Sequence, residues 1–277
     1  MCITFLYTSA DPLKDKYKVI LAMNRDEFFK RPTSKSHWDN DVLAGRDQEP
    51  GREGGTWLGV NRRGCIGFLT NIYAGKHQPG AGRGFLVINY LQSGEMAAMD
   101  YLTSLAASNT TYSPFNLMLL EPDQDKYSIN YYCQGHPNCV VNESVGPTKL
   151  DFGFHGISNH PKDQPYCKTQ FGQERFSEVV KKHMALKNEA KMVEEIFELM
   201  TAKTSFHPDD QMIKQAGCNS SMADFHEKLA CVSVDISEKG YGTRTTSIIL
   251  IDNENNATFI EKDRLTNQTL HHNFKLQ

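Results

Sequence analysis

Cys2 directly follows the initiator methionine, a position where a cysteine can act as a nucleophile without outside help. Its side chain is small enough that removal of Met1 is expected, which would leave a thiol and a free α-amine on one residue. An α-amine has an ordinary pKa of about 7.7–8.0, so part of it is unprotonated at neutral pH and can take the thiol proton directly. Neither a partner histidine nor a metal is needed for that step. The residues that follow, Ile3-Thr4-Phe5-Leu6-Tyr7, alternate as a β-strand beginning at the nucleophile.

Several other stretches carry residues that could do chemistry. Asn24-Arg25-Asp26-Glu27 comes straight after an apolar segment and reads as its polar end. If the first two strands form a hairpin, Arg25 and Asp26 come close to Cys2, where they could orient the amine and depress the thiol pKa. A solvated ion-pair cluster is the plainer alternative. Gly51-Arg52-Glu53-Gly54-Gly55-Thr56-Trp57-Leu58-Gly59 permits tight backbone beside an aromatic ring, as in a pocket wall, an anion-binding turn or a glycine-rich hairpin entry. It is not a Walker loop, since no Gly-Lys-Ser or Gly-Lys-Thr follows. Asn71, Asn159 and Arg244 each stand at an expected strand end, where an amide N–H could support an oxyanion and an arginine could hold a carboxylate or polarise a carbonyl. Cys133-Gln134-Gly135-His136-Pro137-Asn138-Cys139 contains ligand-type side chains, but lacks paired Cys-x₂-Cys or Cys-x₄-Cys spacing, so no metal site is assigned. No Cys-x-x-Cys-His motif occurs, which excludes covalent haem.

The elements that must position these residues follow from periodicity. Thr4–Thr8 and Tyr17–Met23 pair across a turn at Ser9-Ala10-Asp11-Pro12, and Thr56–Val60 pairs with Cys65–Asn71 across a tip containing Arg62-Arg63. Two helices occupy Gly84–Ser108 with a break near Ser93-Gly94. A hairpin of Phe115–Leu120 and Tyr127–Cys133 comes next, then a short strand at Gly156–Asn159. Helices are expected at Cys167–Ala185 and Ala190–Thr201, a polar irregular segment at Thr204–Glu227, and strands at Ala230–Ile236, Thr245–Ile251 and Thr258–Glu261. Strands and helices in this order make an α+β sandwich of mainly antiparallel sheets with helices outside, one domain over residues 1–277. Two α+β domains divided near residue 150 are the runner-up.

Composition narrows the function. The chain has 277 residues, 39% of them apolar and 23% charged, which excludes disordered and fibrous classes. Its 30 basic and 33 acidic residues show no block of like charge, so no extended nucleic-acid face is expected. Seven irregularly spaced cysteines suit a reducing compartment. Asp11 and Asp15 oppose a cleaved mitochondrial presequence, and no run of about 18 apolar residues is present to span a membrane.

Met1-Cys2-Ile3, Asn24-Arg25-Asp26-Glu27, Glu53-Gly54-Gly55-Thr56-Trp57-Leu58-Gly59, Leu69-Thr70-Asn71, Gly82-Arg83-Gly84, Ser158-Asn159 and Tyr241-Gly242-Thr243-Arg244-Thr245 together resemble the transport and Golgi organisation protein 2, or NRDE, family over the full length. The resemblance implies a four-layer αββα sandwich of the N-terminal-nucleophile hydrolase kind. The cysteine amidases of that fold, such as choloylglycine hydrolases, imply Cys2, Arg25, Asp26, Asn71, Asn159 and Arg244 as catalytic positions. Asn24, Glu27, Gly54, Gly55 and Trp57 are then candidates for ligand binding. Those hydrolases place Arg-Asn-x-Asp where this chain has Asn24-Arg25-Asp26-Glu27, so the side chain that faces the thiol is left open. The resemblance further implies haem mobilisation from storage compartments and mitochondria, and lipid and acyl-coenzyme A homeostasis. The expected protein is cytoplasmic and mitochondrion-associated, with haem or an acyl-coenzyme A-like amphipathic molecule as ligand and transient membrane contact for its transfer. An N-terminal cysteine amidohydrolase acting on a non-peptide amide is the rival expectation.

Overall fold

Strands buried on both faces are largely apolar, and β1 (Ile3–Thr8) and the first half of β2 (Tyr17–Phe28) follow that pattern, with buried Thr4, Thr8 and Lys18 as the polar positions. The computed structural model describes residues 1–12, 14, 16–73, 80–135, 144–186, 188–216 and 223–277. Among them, one sheet runs β10 (Gly153–Ile157), β1, β2, β12 (Tyr241–Asp252), β13 (Asn256–Asp263) and β14 (Thr269–Lys275), with β11 (Asp235–Ile236) added beside β12. Its strands pair antiparallel and come from both sides of residue 150. The other sheet is an antiparallel meander of β3 (Thr33–Asp39), β4 (Val42–Asp47), β5 (Leu58–Asn61), β6 (Ile66–Asn71), β7 (Phe115–Asp123), β8 (Lys126–Gln134) and β9 (Val145–Leu150).

The period of two along each strand sorts side chains into three layers of core. Leu6, Val19, Leu21, Met23, Ile249 and Phe259 of the first sheet meet Leu43, Leu58, Val60, Phe68, Met118 and Ile129 of the second. On the outer face of the first sheet, Ile3, Phe5, Ile20, Ala22 and Ile248 pack against α3 (Cys167–Leu186) and α4 (Glu189–Met200) through Phe176, Val180, Met192, Ile196 and Met200. On the outer face of the second, Val42, Ala44, Leu117 and Leu119 pack against α1 (Gly84–Leu91) and α2 (Ala98–Ala107). The architecture is the four-layer αββα sandwich expected above. Each fully buried Phe, Ile or Leu side chain in these layers contributes about 1.5–3 kcal/mol. The layers also fit closely, because a Cβ added to Gly172 in α3 would lie 2.1 Å from Cζ of Phe5.

Three local expectations change. β2 does not stop at Met23 but continues through Asn24-Arg25-Asp26-Glu27 to Phe28, because β12 pairs with it over that whole length. The segment expected to be irregular contains α5 (Asp210–Ala216) and α6 (Ala223–Leu229). Ala230–Val234, read as strand from its apolar run, is buried but turns without pairing, and β11 covers Asp235–Ile236 only. Cys133 is buried in β8, while His136 and Cys139 of the considered metal stretch lie outside the described residues. Among the described residues, no helix is long and apolar enough to cross a membrane.

Candidate functional site

Strand register sets the neighbourhood of Cys2. Ile3 pairs with Asn24, so the residue just before β1 meets Arg25 and Asp26, and Cys2 Sγ lies 4.0 Å from the Asp26 carbonyl oxygen. Cys2, Arg25, Asp26 and Glu27 line a cleft of roughly 240 Å3, together with Trp57, and with Leu69 and Asn71 from the second sheet. Arg52, Gly55, Arg83, Gly84 and Phe85 line it as well. Gly55 and Gly84 bring those two segments together, since a Cβ on either would stand 3.2 Å from the other's backbone, and Thr56 N–H donates to Gly84 O at 2.9 Å. Trp57 in turn slides under Gly45, whose missing Cβ would be 2.8 Å from the indole.

The four residues of the Asn-Arg-Asp-Glu stretch separate by the strand period. Asn24 points away from the cleft. Its Nδ2 donates to Met200 O at 2.8 Å and Val232 O at 3.1 Å, and its Oδ1 accepts from Thr246 Oγ1 at 2.7 Å. Those bonds tie the helical layer to the sheet and leave little capacity for a ligand. Arg25 points inward, its guanidinium 4.0 Å from the Trp57 ring and 3.6 Å from Glu27. Asp26 is buried, accepts from Thr243 Oγ1 at 2.6 Å, and holds the terminal amine of Met1 at 3.5 Å. That amine also donates to the Tyr241 hydroxyl.

A second buried cation lies behind this carboxylate. Lys168 Nζ, fully buried, donates to Leu229 O at 2.7 Å and Cys231 O at 3.0 Å. Burial pushes the Asp26 carboxyl up, against the pull of the amine and Lys168. The Cys2 thiol is likewise pushed up by burial, with the amine and Arg25 only partly opposing. The depression expected from Arg25 and Asp26 therefore does not occur while Met1 is present, because desolvation of the thiolate is the larger effect.

The remaining candidates divide. Asn71 ends β6 and lines the cleft. Asn159 does not line it; its Nδ2 donates to the Asn71 backbone carbonyl, bracing the residue that does. Arg244 sits inside β12, not at a strand end, as the extra residue of a bulge between Thr243, paired with Asp26, and Thr245, paired with Arg25. Its guanidinium donates to Arg31 O, outside the lining. Glu27, Gly55 and Trp57 line the cleft, whereas Gly54 is exposed on the turn beside it, with φ +87°.

Residues missed from the sequence complete the site. Arg31, Arg52, Arg83 and Asp47 all line it. Arg31 makes a two-pronged contact to Asp47 at 2.7 and 3.1 Å, and Arg83 donates to Pro114 O at 2.8 Å. Burial lowers Arg83 to about 10. Ser158 Oγ donates to the Cys2 carbonyl at 2.6 Å and so fixes the nucleophile's backbone. The available signals were Gly82-Arg83-Gly84, an arginine set between two glycines, and the glycine-rich stretch Gly51–Gly59, which contains Arg52. Among the described residues, no group of three or more His, Cys, Asp or Glu side chains could hold a metal ion.

A solved structure of similar shape is the C2A mutant of a conjugated bile acid hydrolase from Clostridium perfringens. Its TM-score is 0.50 at 9% identity, covering 99% of this chain and 92% of the other, which establishes a common N-terminal-nucleophile hydrolase fold. The Bos taurus Transport and Golgi organization protein 2 homolog is 34% identical over 287 residues, covering 100% of both chains. Transport and Golgi organization protein 2 of Drosophila melanogaster is 34% identical, covering 95% of this chain and 92% of its own length. The model of the family Transport and Golgi organisation 2 matches residues 1–266, and this chain belongs to that family.

Proposed function

We propose that the cleft binds an amphipathic anionic small molecule, haem or an acyl-coenzyme A, and that the protein carries it between the cytoplasm and membranes, those of mitochondria included. The observation that supports this most is the charge lining the cleft. Arg25, Arg31, Arg52 and Arg83 line it together with Asp26, Glu27 and Asp47, and the Asp26 carboxylate is itself fully buried against Thr243 and the Met1 amine. Arg25 and Arg31 are ion-paired, but Arg52 and Arg83 make no ion pair among the described residues. Arginine binds carboxylate and phosphate through paired N–H donors, and both haem and coenzyme A present such groups. Trp57, Leu69 and Phe85 offer apolar contact to the rest of the ligand. At roughly 240 Å3 the cleft is smaller than the ~300–1,000 Å3 of sites that enclose a drug-sized ligand, so the body of the ligand rests at its mouth over the exposed Phe85 ring. The relatives' shared name joins transport with Golgi organisation, in keeping with a carrier role. Five described cysteines are free thiols, in keeping with a reducing cytoplasm.

Haem titration followed by absorbance, and palmitoyl-coenzyme A titration followed by calorimetry, test the reading. Arg52→Ala, at an exposed lining residue with no ion pair among the described residues, removes charge-assisted hydrogen bonds to the ligand of about 1.5–3 kcal/mol, so affinity for both should fall by about ten- to a hundredfold with the melting temperature unchanged. Unaltered affinity would sink the proposal.

A second reading has its own observation, the meeting of Cys2, Asp26 and the chain's amine at one cleft wall. After loss of Met1, the Cys2 amine would take the thiol proton while sulfur attacks an amide carbon. Asn71 would support the oxyanion, the amine would pass the proton to the leaving nitrogen, and water would then split the thioester to release a carboxylic acid and restore the thiol. Cys2→Ala separates the two, abolishing hydrolysis of amide substrates while leaving binding intact unless the thiol ligates haem iron.

A further inference from the structure

Met1 is not a frayed terminus. The residue is 7% exposed and lies in a cluster of Tyr166, Met212, Leu229, Ala230, Val234 and Ile236, with Tyr73, Phe225 and Tyr241 against it. This small core is separate from the three that hold the layers together, and α5, α6 and β11 contribute Met212, Leu229 and Ile236 to it. Its polar mouth is formed by Asp26, 3.5 Å from the Met1 amine, and the Tyr241 hydroxyl. Asp26 belongs at the same time to the wall of the cleft, as does Cys2, the residue bonded to Met1.

We infer that the seat of Met1 is a second, apolar subsite, which opens beside Cys2 when the initiator methionine is removed and takes an unbranched aliphatic chain. Methionine is itself an unbranched chain, so the seat already has the bore such a chain needs. The walls come from helices and turns packed on Tyr166 and Leu229, both no more than 1% exposed, and these do not depend on Met1 alone. Loss of Met1 leaves space lined by apolar side chains, and an apolar cavity of this kind stays dry and takes apolar guests. The Cys2 amine created by the same cleavage is left next to Asp26 and can replace the Met1 amine as its counter-ion, so the mouth keeps its charge balance. The arginine-lined cleft would hold an anionic head while the seat holds the first four to six or so carbons of its tail. That use as a tail pocket rests on the amphipathic-ligand reading above, whereas the seat itself does not.

The test compares two N-terminal forms of the full chain, one beginning at Cys2 and one that retains Met1 through inhibition of methionine aminopeptidase, each verified by intact mass. Pentan-1-ol should raise the melting temperature of the processed form only, and an equal response in both forms overturns the inference. Ala230→Leu adds a side chain to the seat, where Ala230 is 0% exposed. It should lower the melting temperature of the Met1-retaining form and leave that of the processed form unchanged or higher; equal destabilisation of both forms counts against the seat. The processed form should bind hexanoyl-coenzyme A at least about tenfold tighter than acetyl-coenzyme A, a preference the retained form lacks. If both forms bind the two thioesters equally, the seat is refuted and the cleft reading stands. If neither binds while the pentan-1-ol difference persists, the seat stands and the cleft reading fails. Protein from the native host that keeps Met1 throughout would overturn the inference outright.

Discussion

His160 should make this protein lose stability in mild acid, by an amount that can be worked out. The ring is fully buried directly after Asn159, with Nδ1 2.7 Å from Pro161 O and Nε2 3.0 Å from Thr169 Oγ1. A neutral imidazole satisfies both contacts, with Nδ1–H donating to the carbonyl and Nε2 accepting from the hydroxyl. Burial lowers its pKa from 6.5 to about 4. The folded-state pKa is depressed, so the unfolded chain takes up the proton first, and stability present above pH 6.5 is lost as pH falls towards 4. Integrating between those two values gives a loss of roughly 2–3 kcal/mol from this group between pH 7.5 and 4.5. Urea denaturation at half-unit pH intervals, on wild type and His160→Gln, isolates it from the other titrating groups. The gap between the two should close by that amount as pH falls, with equal m-values. Curves that stay parallel within about 0.5 kcal/mol would refute the assignment of a buried neutral imidazole.

Other substitutions probe the parts of the site separately. Asn24→Ala removes three buried hydrogen bonds to Met200, Val232 and Thr246, so it should destabilise by about 2–4 kcal/mol in chemical denaturation while ligand affinity of the folded protein is unchanged. A loss of affinity without loss of stability would place Asn24 in the binding site after all. Gly172→Ala would set a methyl group 2.1 Å from Phe5 Cζ, and should lower the melting temperature by several degrees, corresponding to about 1–3 kcal/mol of overpacking. Ser158→Ala removes the 2.6 Å bond to the Cys2 carbonyl and should change the alkylation rate of Cys2 by iodoacetamide with little effect on the other thiols. An identical rate would mean the bond does not position the nucleophile.

Much of this protein is decided locally and is therefore readable along the chain. Doubly buried strands such as Ile3–Thr8 and Thr245–Ile251 are largely apolar, with small hydroxyl residues at their other positions, and amphipathic helices such as Glu189–Met200 carry their apolar residues on one face, so length and period identify both. The residues that come together around Cys2 were also legible in part, because Arg25, Asp26, Glu27, Asn71 and Trp57 belong to motifs with a recognisable order. Pairing across distant sequence is another matter. β2 runs on through Asn24-Arg25-Asp26-Glu27 only because β12, more than 200 residues later, supplies its hydrogen-bond partners. The strand period then sends Asn24 to the helices and Arg25 to the cleft, which no count of polar residues could reveal. A bulge at Arg244 redirects that arginine to the Arg31 carbonyl. Arg52 and Arg83 become neighbours only through the close approach of Gly55 and Gly84, 29 positions apart. The sign of the thiol's pKa shift also depended on the fold, because desolvation is set by how much protein surrounds a group and not by which charges precede or follow it in the chain.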